Sequence, residues 1–260
     1  MTRGWTLIDT HAHLQLSTFD ADREAVLRRA ERAGVEAVVN IGIDAASSLA
    51  AIRLAEEHSI CWAAVGLHPH EAGSWSDSVK QELRALSQHP KAVAVGETGL
   101  DYYRNHASKA DQMRAFQGQM ELAAETQLPF VIHQRSASED LLDALEASGM
   151  GASALLHCFS GSVEEGKRAA GLGCFFGLGG ILTYPKSDEL RQAVETLPSD
   201  RVMVETDSPW LAPQAWRGKR NEPSYVRAAA EAVASARGES FERAAQKTSE
   251  AARRFFRLEN

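Results

Sequence analysis

The chain alternates short apolar runs with amphipathic segments along its length, and this alternation restricts its possible folds more than any other feature. Eight runs are rich in branched and aromatic residues, and their apolar residues are mostly consecutive rather than alternating with polar ones. A continuous apolar run is typical of a parallel strand that is buried on both faces. In chain order the runs are "TLID" from Thr6, "VEAVVNIGI" from Val35, "CWAAVGL" from Cys61, "KAVAVGE" from Lys91, "PFVIH" from Pro129, "SALLHCF" from Ser153, "GCFFGLG" from Gly173 and "RVMVETD" from Arg201.

The segments between the runs carry helix signals at their ends. We expect the first helix to begin at Asp20, which suits an N-cap, and to end at Gly34, where a C′ glycine belongs. The segments "SASE" from Ser136 and "SVEE" from Ser162 each place a serine three residues before a glutamate. This spacing is the capping-box pattern and predicts two further helix starts.

The order of strands and helices predicts the fold class α/β and, within it, a closed (β/α)8 TIM barrel. A chain of 260 residues has the usual length for one such barrel, and no linker or change in composition interrupts it. We therefore expect a single domain over residues 1–260. The alternative, an open doubly wound sheet, would require a glycine-rich phosphate loop after the first strand, and "DTHAHL" is not such a loop.

Histidines and carboxylates follow the strand runs, at the positions where a barrel builds its active site. Catalytic groups in this fold come from the carboxyl ends of the strands, so polar residues there are candidates for chemistry. The candidates, in chain order, are His11, His13, His68, Glu97, His133, His157 and Asp207.

These residue types are the ligands of divalent metal ions. His11 and His13 are one residue apart, and residues i and i+2 of a strand point to the same face, so both rings can reach one ion. The remaining histidines and carboxylates supply enough ligands for two ions with open positions, and Glu97 suits a bridge between them. Asp9 lies one layer deeper, where we expect it to support a ligand rather than to bind an ion.

The charge balance restricts how a polyanion could bind. A net charge of -7 and a pI of about 5.7 exclude a basic footprint over the whole surface, so phosphate contacts would have to be local. Bound ions would supply most of the positive charge. Arg135 and Arg220 could add bidentate phosphate contacts, or could be solvated loop charges. His68 could contact the substrate or support a metal ligand.

Cysteine usage and hydropathy indicate the compartment. The three cysteines form no C-x-x-C pair, and their odd number argues against a disulfide framework, so we expect free thiols. The N-terminus has no signal-peptide core, and no apolar run reaches a membrane-spanning length. The sequence therefore predicts a cytoplasmic protein with no membrane attachment, and nothing in it indicates an obligate protein partner.

Seven ordered segments resemble the TatD family of metal-dependent deoxyribonucleases, which belongs to the amidohydrolase-like barrels. They extend from Asp9 to Pro223 and read "DTHAHL", "GLHPH", "VGETGLDYY", "IHQRSA", "HCFSG", "ETDSPWLAP" and "RGKRNEP". One departure is Ala251, where members often carry an asparagine before the final Arg-Arg-aromatic segment. The resemblance implies one ion held by His11, His13, Glu97 and Asp207, and a second held by Glu97, His133 and His157.

The same resemblance implies a hydrolase that cleaves phosphodiester bonds of DNA from an end, with two divalent ions drawn from Zn²⁺, Mg²⁺ or Mn²⁺. We expect Glu97 to be the bridging group and Asp207 to orient the attacking water and accept its proton, although Asp207 could equally be only a ligand. Tyr102, Tyr103 and Trp210 could stack on unpaired bases and so favour single strands, or could pack beneath the loops.

Two other functions remain compatible with these residues. A metal-activated water attacks a carbonyl carbon as readily as phosphorus, so the ligands also suit an amide or ester hydrolase, such as an aminoacyl-tRNA deacylase. A barrel kept only for binding is the non-enzymatic alternative. The complete set of candidate ligands argues against that alternative, because a protein without catalysis would not need every one of them.

Overall fold

The computed structural model of the chain describes residues 4–258, and its strands and helices alternate as predicted. The strands are β1 Leu7–Ala12, β2 Val35–Ile41, β3 Cys61–Val65, β4 Ala92–Asp101, β5 Phe130–Arg135, β6 Ala154–Leu156, β7 Phe175–Leu178 and β8 Val202–Val204. The α-helices of the described residues are α1 Arg23–Ala33, α2 Ala45–Glu57, α3 Asp77–Ser87, α4 Lys109–Thr126, α5 Ser138–Ser148, α6 Val163–Gly171, α7 Asp188–Thr196, α8 Val226–Arg237 and α9 Phe241–Phe256.

The strands form one sheet in which hydrogen-bonded neighbours follow chain order from β1 to β8. The pairing is parallel, as in the register that joins Val131 to Leu155 and Gly177 to Met203. A parallel bridge between Ala12 and Ser208 connects the end of β1 to the segment after β8. The fold is therefore a (β/α)8 TIM barrel, and the predicted fold class is confirmed.

Helix α1 ends as predicted but begins later. Gly34 follows it with a left-handed φ of 92°, the conformation that favours glycine at this position. The helix begins at Arg23 with Asp22 as N-cap, so the prediction that Asp20 caps it is wrong. The Asp20 carboxylate instead accepts a hydrogen bond of 2.6 Å from the Arg23 guanidinium, which takes it away from the helix N-terminus.

One of the two predicted capping boxes is present. The backbone N–H of Ser162 donates to Glu165 Oε2 at 2.7 Å, and the backbone N–H of Glu165 donates to Ser162 Oγ at 3.2 Å. The prediction for Ser136 is wrong, because the N-cap of α5 is Ala137 and makes no side-chain hydrogen bond. Ser136 has a φ of 54° and lies one residue before the cap position.

By their internal contacts the elements group into two compact units. In the first unit, β1 and β8 pack against α9, which buries Ala252 and Phe256 among other residues. In the second, Ile52 of α2 packs with Ala63 of β3 and Ala92 of β4. The expectation of a single domain stays a prediction. The first unit contains the described parts of Met1–Val39 and Phe176–Asn260 together with Cys158–Ala170, and the second contains Asn40–His157 and Gly171–Phe175.

Two further expectations concern the cysteines and the membrane. Cys61 and Cys174 are buried, Cys158 is half-buried, and among the described residues none of the three is joined in a disulfide. Within residues 4–258, none of the helices combines the length and the apolar character that crossing a membrane requires.

Candidate metal centre

The first unit brings together three of the predicted ligands. His11 and His13 lie at the end of β1, both buried, with their Nε2 atoms 3.1 Å apart. Asp207 follows β8, and its Oδ1 atom lies 3.7 Å from Nε2 of His11 and 3.6 Å from Nε2 of His13. The backbone of Asp207 has a φ of 58°, and its N–H donates to the His11 carbonyl at 2.8 Å. We call these three residues the first group.

Asp9 supports the first group from beneath. Its Oδ1 atom accepts the backbone N–H of Thr206 at 2.8 Å, its Oδ2 atom lies 2.6 Å from Thr206 Oγ1, and the His11 N–H approaches Oδ1 at 3.4 Å. Burial raises the pKa of Asp9 to about 8, although these hydrogen bonds act in the opposite direction. Asn221 donates from Nδ2 to the carbonyls of Thr206 and Trp210, both at 2.7 Å, and so holds the segment that contains Asp207.

The second unit brings together the other predicted ligands around one carboxylate oxygen. Glu97 is buried in β4, and its Oε1 atom lies 2.9 Å from Nδ1 of His133 and 2.9 Å from Nε2 of His157. His68 is next to them, with Nε2 3.6 Å from the same oxygen. Ligand atoms of His68, Glu97 and His133 all lie within 4.8 Å of one another. We call Glu97, His133, His157 and His68 the second group.

A glycine opposite His133 brings strands β4 and β5 close together at the second group. Gly99 is the register partner of His133, and its φ is 130°, a conformation that side chains rarely adopt. A Cβ atom at Gly99 would lie 2.0 Å from the His133 carbonyl oxygen. Only glycine therefore permits this approach between the two strands.

Asp101 and His70 extend the second group and were not among the predicted site residues. The Asp101 carboxylate is fully buried at the end of β4, and its Oδ2 atom lies 3.2 Å from Nε2 of His133 and 2.9 Å from Nε2 of His70. Its Oδ1 atom accepts the backbone N–H groups of Tyr103 at 3.0 Å and Arg104 at 2.8 Å.

The hydrogen bonds around Asp101 outweigh the effect of its burial. Burial acts to raise the pKa of Asp101, but the donors from His133, Arg104 and His70 hold it well below its ordinary value. The pKa of His133 moves the other way. Burial acts to lower it, and the two carboxylates, Asp101 and Glu97, produce a net rise.

Two glutamines of α4 hold the backbone next to the second group. Gln112 accepts the Asp101 N–H at 2.8 Å and donates to the Asp101 carbonyl at 3.1 Å. Gln119 exchanges the same pair of hydrogen bonds with Leu67, at 2.8 and 2.9 Å, and donates to Thr98 Oγ1 at 2.8 Å. Both glutamines are fully buried, so their amides hydrogen-bond to the neighbouring backbone rather than to solvent.

The three residues expected to bind substrate have different surroundings. His68 belongs to the second group, its Nδ1 atom accepts the backbone N–H of His70 at 3.1 Å, and burial lowers its pKa to about 3. Arg135 is exposed at the end of β5. Arg220 is engaged elsewhere, because its guanidinium donates to both carboxylate oxygens of Asp22, at 2.9 and 2.7 Å.

The aromatic residues of the same loops are only partly packed. Tyr103 is 63% exposed, and the Arg135 guanidinium lies 4.1 Å from its ring centre. Trp210 is 49% exposed with its ring centre 5.0 Å from that of His13. Tyr102 is held by a hydrogen bond from its hydroxyl to Asp140 at 2.8 Å. Tyr103 and Trp210 are therefore not packed beneath the loops, because much of each side chain is exposed to solvent.

The donor atoms fit divalent ions in spacing as well as in type. Ligands bound tetrahedrally at about 2.0–2.2 Å lie roughly 3.3–3.6 Å from one another. The 3.1–3.7 Å separations in the first group match this edge. In the second group, two imidazole nitrogens approach one carboxylate oxygen at 2.9 Å. Such contacts require a proton or a cation between the atoms, because lone pairs would otherwise face each other.

Comparison with known proteins decides the family. The sequence pattern of the family described as TatD related DNase matches residues 8–257. The chain belongs to the TatD family. It is 39% identical to the "Uncharacterized metal-dependent hydrolase YabD" of Bacillus subtilis over 97% of this chain and 99% of that protein. It is 37% identical to the "3'-5' ssDNA/RNA exonuclease TatD" of Erwinia tasmaniensis over 97% of this chain and the whole of that protein.

Solved structures agree with the TatD assignment. The crystal structure of YJJV, a TatD homologue from Escherichia coli K12, has a TM-score of 0.92 at 30% identity and covers 97% of this chain and 98% of that one. A TatD-family hydrolase from Entamoeba histolytica has a TM-score of 0.88 at 23% identity, covers 96% of this chain and 98% of that one, and supports the fold alone. The protein is thus a TatD-family metal-dependent hydrolase, and the predictions of family and enzyme class are confirmed.

Proposed function

We propose that this TatD-family hydrolase is an exonuclease that cleaves phosphodiester bonds of single-stranded DNA with the help of two divalent ions. The observation that carries the proposal is the convergence of His133 and His157 on Glu97, each at 2.9 Å, because a buried carboxylate between two imidazoles is a typical cation site. The relatives named ssDNA/RNA exonucleases support a nucleic-acid substrate. The choice of DNA and of single strands is part of the proposal.

The proposed ligands follow the two groups. His11, His13 and Asp207 would hold one ion, and Glu97, His133 and His157 the other. Such ions lower the pKa of a water molecule towards neutrality and neutralise charge on a phosphoryl group. Zn²⁺ and Mn²⁺ suit the mixed nitrogen and oxygen donors, and Mg²⁺ suits the carboxylates.

Asp207 is the residue we assign to the proton of the attacking water. It lies within 3.6–3.7 Å of both histidines of the first group, and its side chain is 14% exposed, so the carboxylate is accessible from solvent. A carboxylate in this position can orient a water molecule and accept its proton. A purely ligating role is the alternative, and replacement by asparagine separates the two.

His68 is suited to donate a hydrogen bond to a phosphate oxygen. Its Nδ1 atom accepts the His70 N–H, and burial keeps the ring neutral, so the single ring proton resides on Nε2. Nε2 faces Glu97 Oε1 at 3.6 Å, which is too long for a strong hydrogen bond. We therefore propose that this N–H is used on the substrate rather than within the protein.

The exposed aromatic residues would favour unpaired bases. Tyr103 with Arg135 above its ring offers a stacking face beside a guanidinium, and Trp210 offers a second face next to His13. Stacking of one base contributes about 1–3 kcal/mol and requires the base to leave its duplex partner. Because Arg220 is paired with Asp22, its proposed phosphate contact would require that pair to open.

The experiment is a nuclease assay with end-labelled single-stranded and double-stranded DNA in Mg²⁺, Mn²⁺ or Zn²⁺. We expect stepwise shortening of the single strand, loss of cleavage in the double variant His11→Ala/His13→Ala, and unchanged cleavage in His89→Ala, whose ring pairs with Glu56. Asp207→Asn should lower the rate at normal metal occupancy. Full activity of that variant would remove the proton-accepting role of Asp207.

A parallel assay distinguishes the alternative substrate class. The same preparation is offered an aminoacyl ester of tRNA under the metal condition that gives the greatest nuclease activity. Rapid release of the amino acid without DNA cleavage would replace the nuclease proposal by an ester hydrolase. No turnover of either substrate, with no metal bound by elemental analysis, would favour a protein that only binds.

A further inference from the structure

Asp101 occupies a position that the proposed reaction does not use directly. It is fully buried, it follows Glu97 by four residues on β4, and its Oδ2 atom contacts the ring nitrogens of His133 and His70. We propose that Asp101 is a positioning residue that holds the Nδ1 atom of His133 towards Glu97 and thereby sets the affinity for the ion at the second group. This inference rests on the proposed metal role of His133.

The strand register explains how one imidazole reaches two carboxylates. His133 pairs with Gly99, which lies midway between Glu97 and Asp101 in the sequence "ETGLD". Residues two apart in a strand point to the same face, and parallel register partners share that face. The ring of His133 therefore lies over a glycine with a carboxylate on each side, at 2.9 Å from Nδ1 and 3.2 Å from Nε2.

The hydrogen bonds of Asp101 determine which nitrogen of His133 carries the proton. Its Oδ1 atom accepts two backbone N–H groups, from Tyr103 and Arg104, so the carboxylate acts as an acceptor. Oδ2 then accepts an N–H from Nε2 of His133 and another from Nε2 of His70. In a neutral ring this leaves the lone pair on Nδ1, which is the nitrogen that faces Glu97.

His70 completes the arrangement from the other side. Its side chain is 30% exposed, and its Nε2 atom contacts Asp101 at the shorter distance of 2.9 Å. With the two backbone donors it immobilises the carboxylate, so that Oδ2 cannot rotate away from His133. The same carboxylate anchors the loop that contains Tyr103, which connects the proposed ion to one of the proposed stacking residues.

The first test measures ion affinity directly. Metal-free protein is titrated with Mn²⁺, and the free ion is followed by electron paramagnetic resonance. We expect Asp101→Asn to weaken the affinity at the second group about 10–100-fold, the usual effect of removing the carboxylate partner of a ligating histidine. Asp140→Asn is the matched control, because this carboxylate does not belong to the second group and accepts a hydrogen bond from the Tyr102 hydroxyl. Equal affinity in both variants would overturn the proposal.

The second test reads the tautomer. In protein labelled with ¹⁵N-histidine and brought to a pH at which the ring shifts show His133 to be neutral, which lies above that of free imidazole because the two carboxylates raise its pKa, His133 should carry its proton on Nε2. Asparagine at position 101 can point its amide group at Nε2, so Asp101→Asn should shift the proton of His133 to Nδ1. An unchanged tautomer in the folded variant would contradict the inference.

A further variant keeps the inference testable if the asparagine substitution prevents folding. His70→Leu removes one support of Asp101 and should weaken Mn²⁺ binding several-fold, whereas His70→Gln keeps a donor and should restore most of it. Equal affinities for the two variants would count against the arrangement. These binding measurements do not depend on DNA cleavage, so a protein that binds Mn²⁺ as expected but cuts no DNA would refute only the proposed function.

Discussion

Gln119 provides the sharpest test of how the second group is held in place. Its buried side-chain amide accepts the Leu67 N–H at 2.8 Å and donates to the Leu67 carbonyl at 2.9 Å and to Thr98 Oγ1 at 2.8 Å. Leu67 precedes His68 and Thr98 follows Glu97 in the chain. A single amide therefore ties together the segments that present two members of the second group.

The expected cost of removing this amide follows from the groups it leaves behind. Gln119→Met preserves the length of the side chain but leaves a buried N–H, a buried carbonyl and a buried hydroxyl without that partner. Each such group costs about 1–3 kcal/mol, and burying the apolar methionine recovers roughly 2 kcal/mol of the total. We expect the free energy of unfolding to fall by about 3 kcal/mol, which corresponds to a drop of roughly 6–12 °C in Tm for a chain of this size.

Urea unfolding followed by tryptophan fluorescence measures this loss. Gln117→Met is the matched control, because Gln117 lies on the same helix but is exposed, and its replacement should change the stability by less than about 0.5 kcal/mol. If the free energy of unfolding falls no further in Gln119→Met than in the control, the reasoning is refuted, and the three hydrogen bonds do not contribute to stability.

Gln119→Glu tests the same geometry through its pH dependence. One oxygen can still accept the Leu67 N–H, but the other faces the Leu67 carbonyl, which needs a donor, so the ionised form is disfavoured in the folded protein. Burial raises the pKa of this carboxyl above its unfolded value of about 4.3. The loss of stability relative to the wild type should therefore be smallest below about pH 4 and should grow as the pH rises. A loss that does not depend on pH would contradict this assignment.

Three further outcomes follow from the structure. Gly99→Ala should destabilise the protein by about 3 kcal/mol, because its Cβ would meet a backbone carbonyl at 2.0 Å and the φ is left-handed, whereas Gly73→Ala has open space and should be nearly neutral in the same unfolding assay. Arg29→Ala should cost about 2 kcal/mol, since it removes the three hydrogen bonds of 2.6, 2.8 and 3.1 Å to the buried carboxylate of Glu222, while Arg28→Ala, with an exposed partner, should cost less than about 0.5 kcal/mol. Mn²⁺ at a hundred times its Kd should stabilise the protein by about 2.7 kcal/mol in a thermal melt, and an unchanged Tm would argue against a resident ion.

The fold could be predicted from the sequence because the decisive signal is local and repeated. Each strand is recognisable in the sequence as an apolar run, and the regular alternation of strands with helices is compatible with few topologies. The helix ends are harder to predict, because a side chain such as Asp20 can bind either a helix N-terminus or a neighbouring arginine, and the two arrangements have the same sequence pattern. The end of α1 at Gly34 can be predicted because the left-handed conformation after a helix favours glycine, whatever the neighbouring side chains are.

The site could be predicted only in part, for a related reason. His11, Glu97 and the other candidate ligands stand at strand ends, so residue type and position together mark them. The residues that hold these ligands in place are not distinguished by residue type or position in the sequence. Gln119 reaches a partner 52 residues away, and in the sequence it looks like any polar residue of a helix. Its role depends on which face of α4 is buried, which only the packed structure decides.

Asp101 and Glu97 show how neighbouring carboxylates on one strand acquire different roles. Asp101 receives two backbone N–H groups and two imidazoles, so its charge is compensated by the protein itself. Glu97 Oε1 faces imidazole nitrogens, and one of them, Nδ1 of His133, has its proton drawn to the opposite side of the ring by Asp101. A cation is the partner that satisfies Glu97 without protonating those rings. The separation of the two carboxylates by a glycine, opposite a histidine, therefore indicates both where an ion is expected and which residue prepares its ligand.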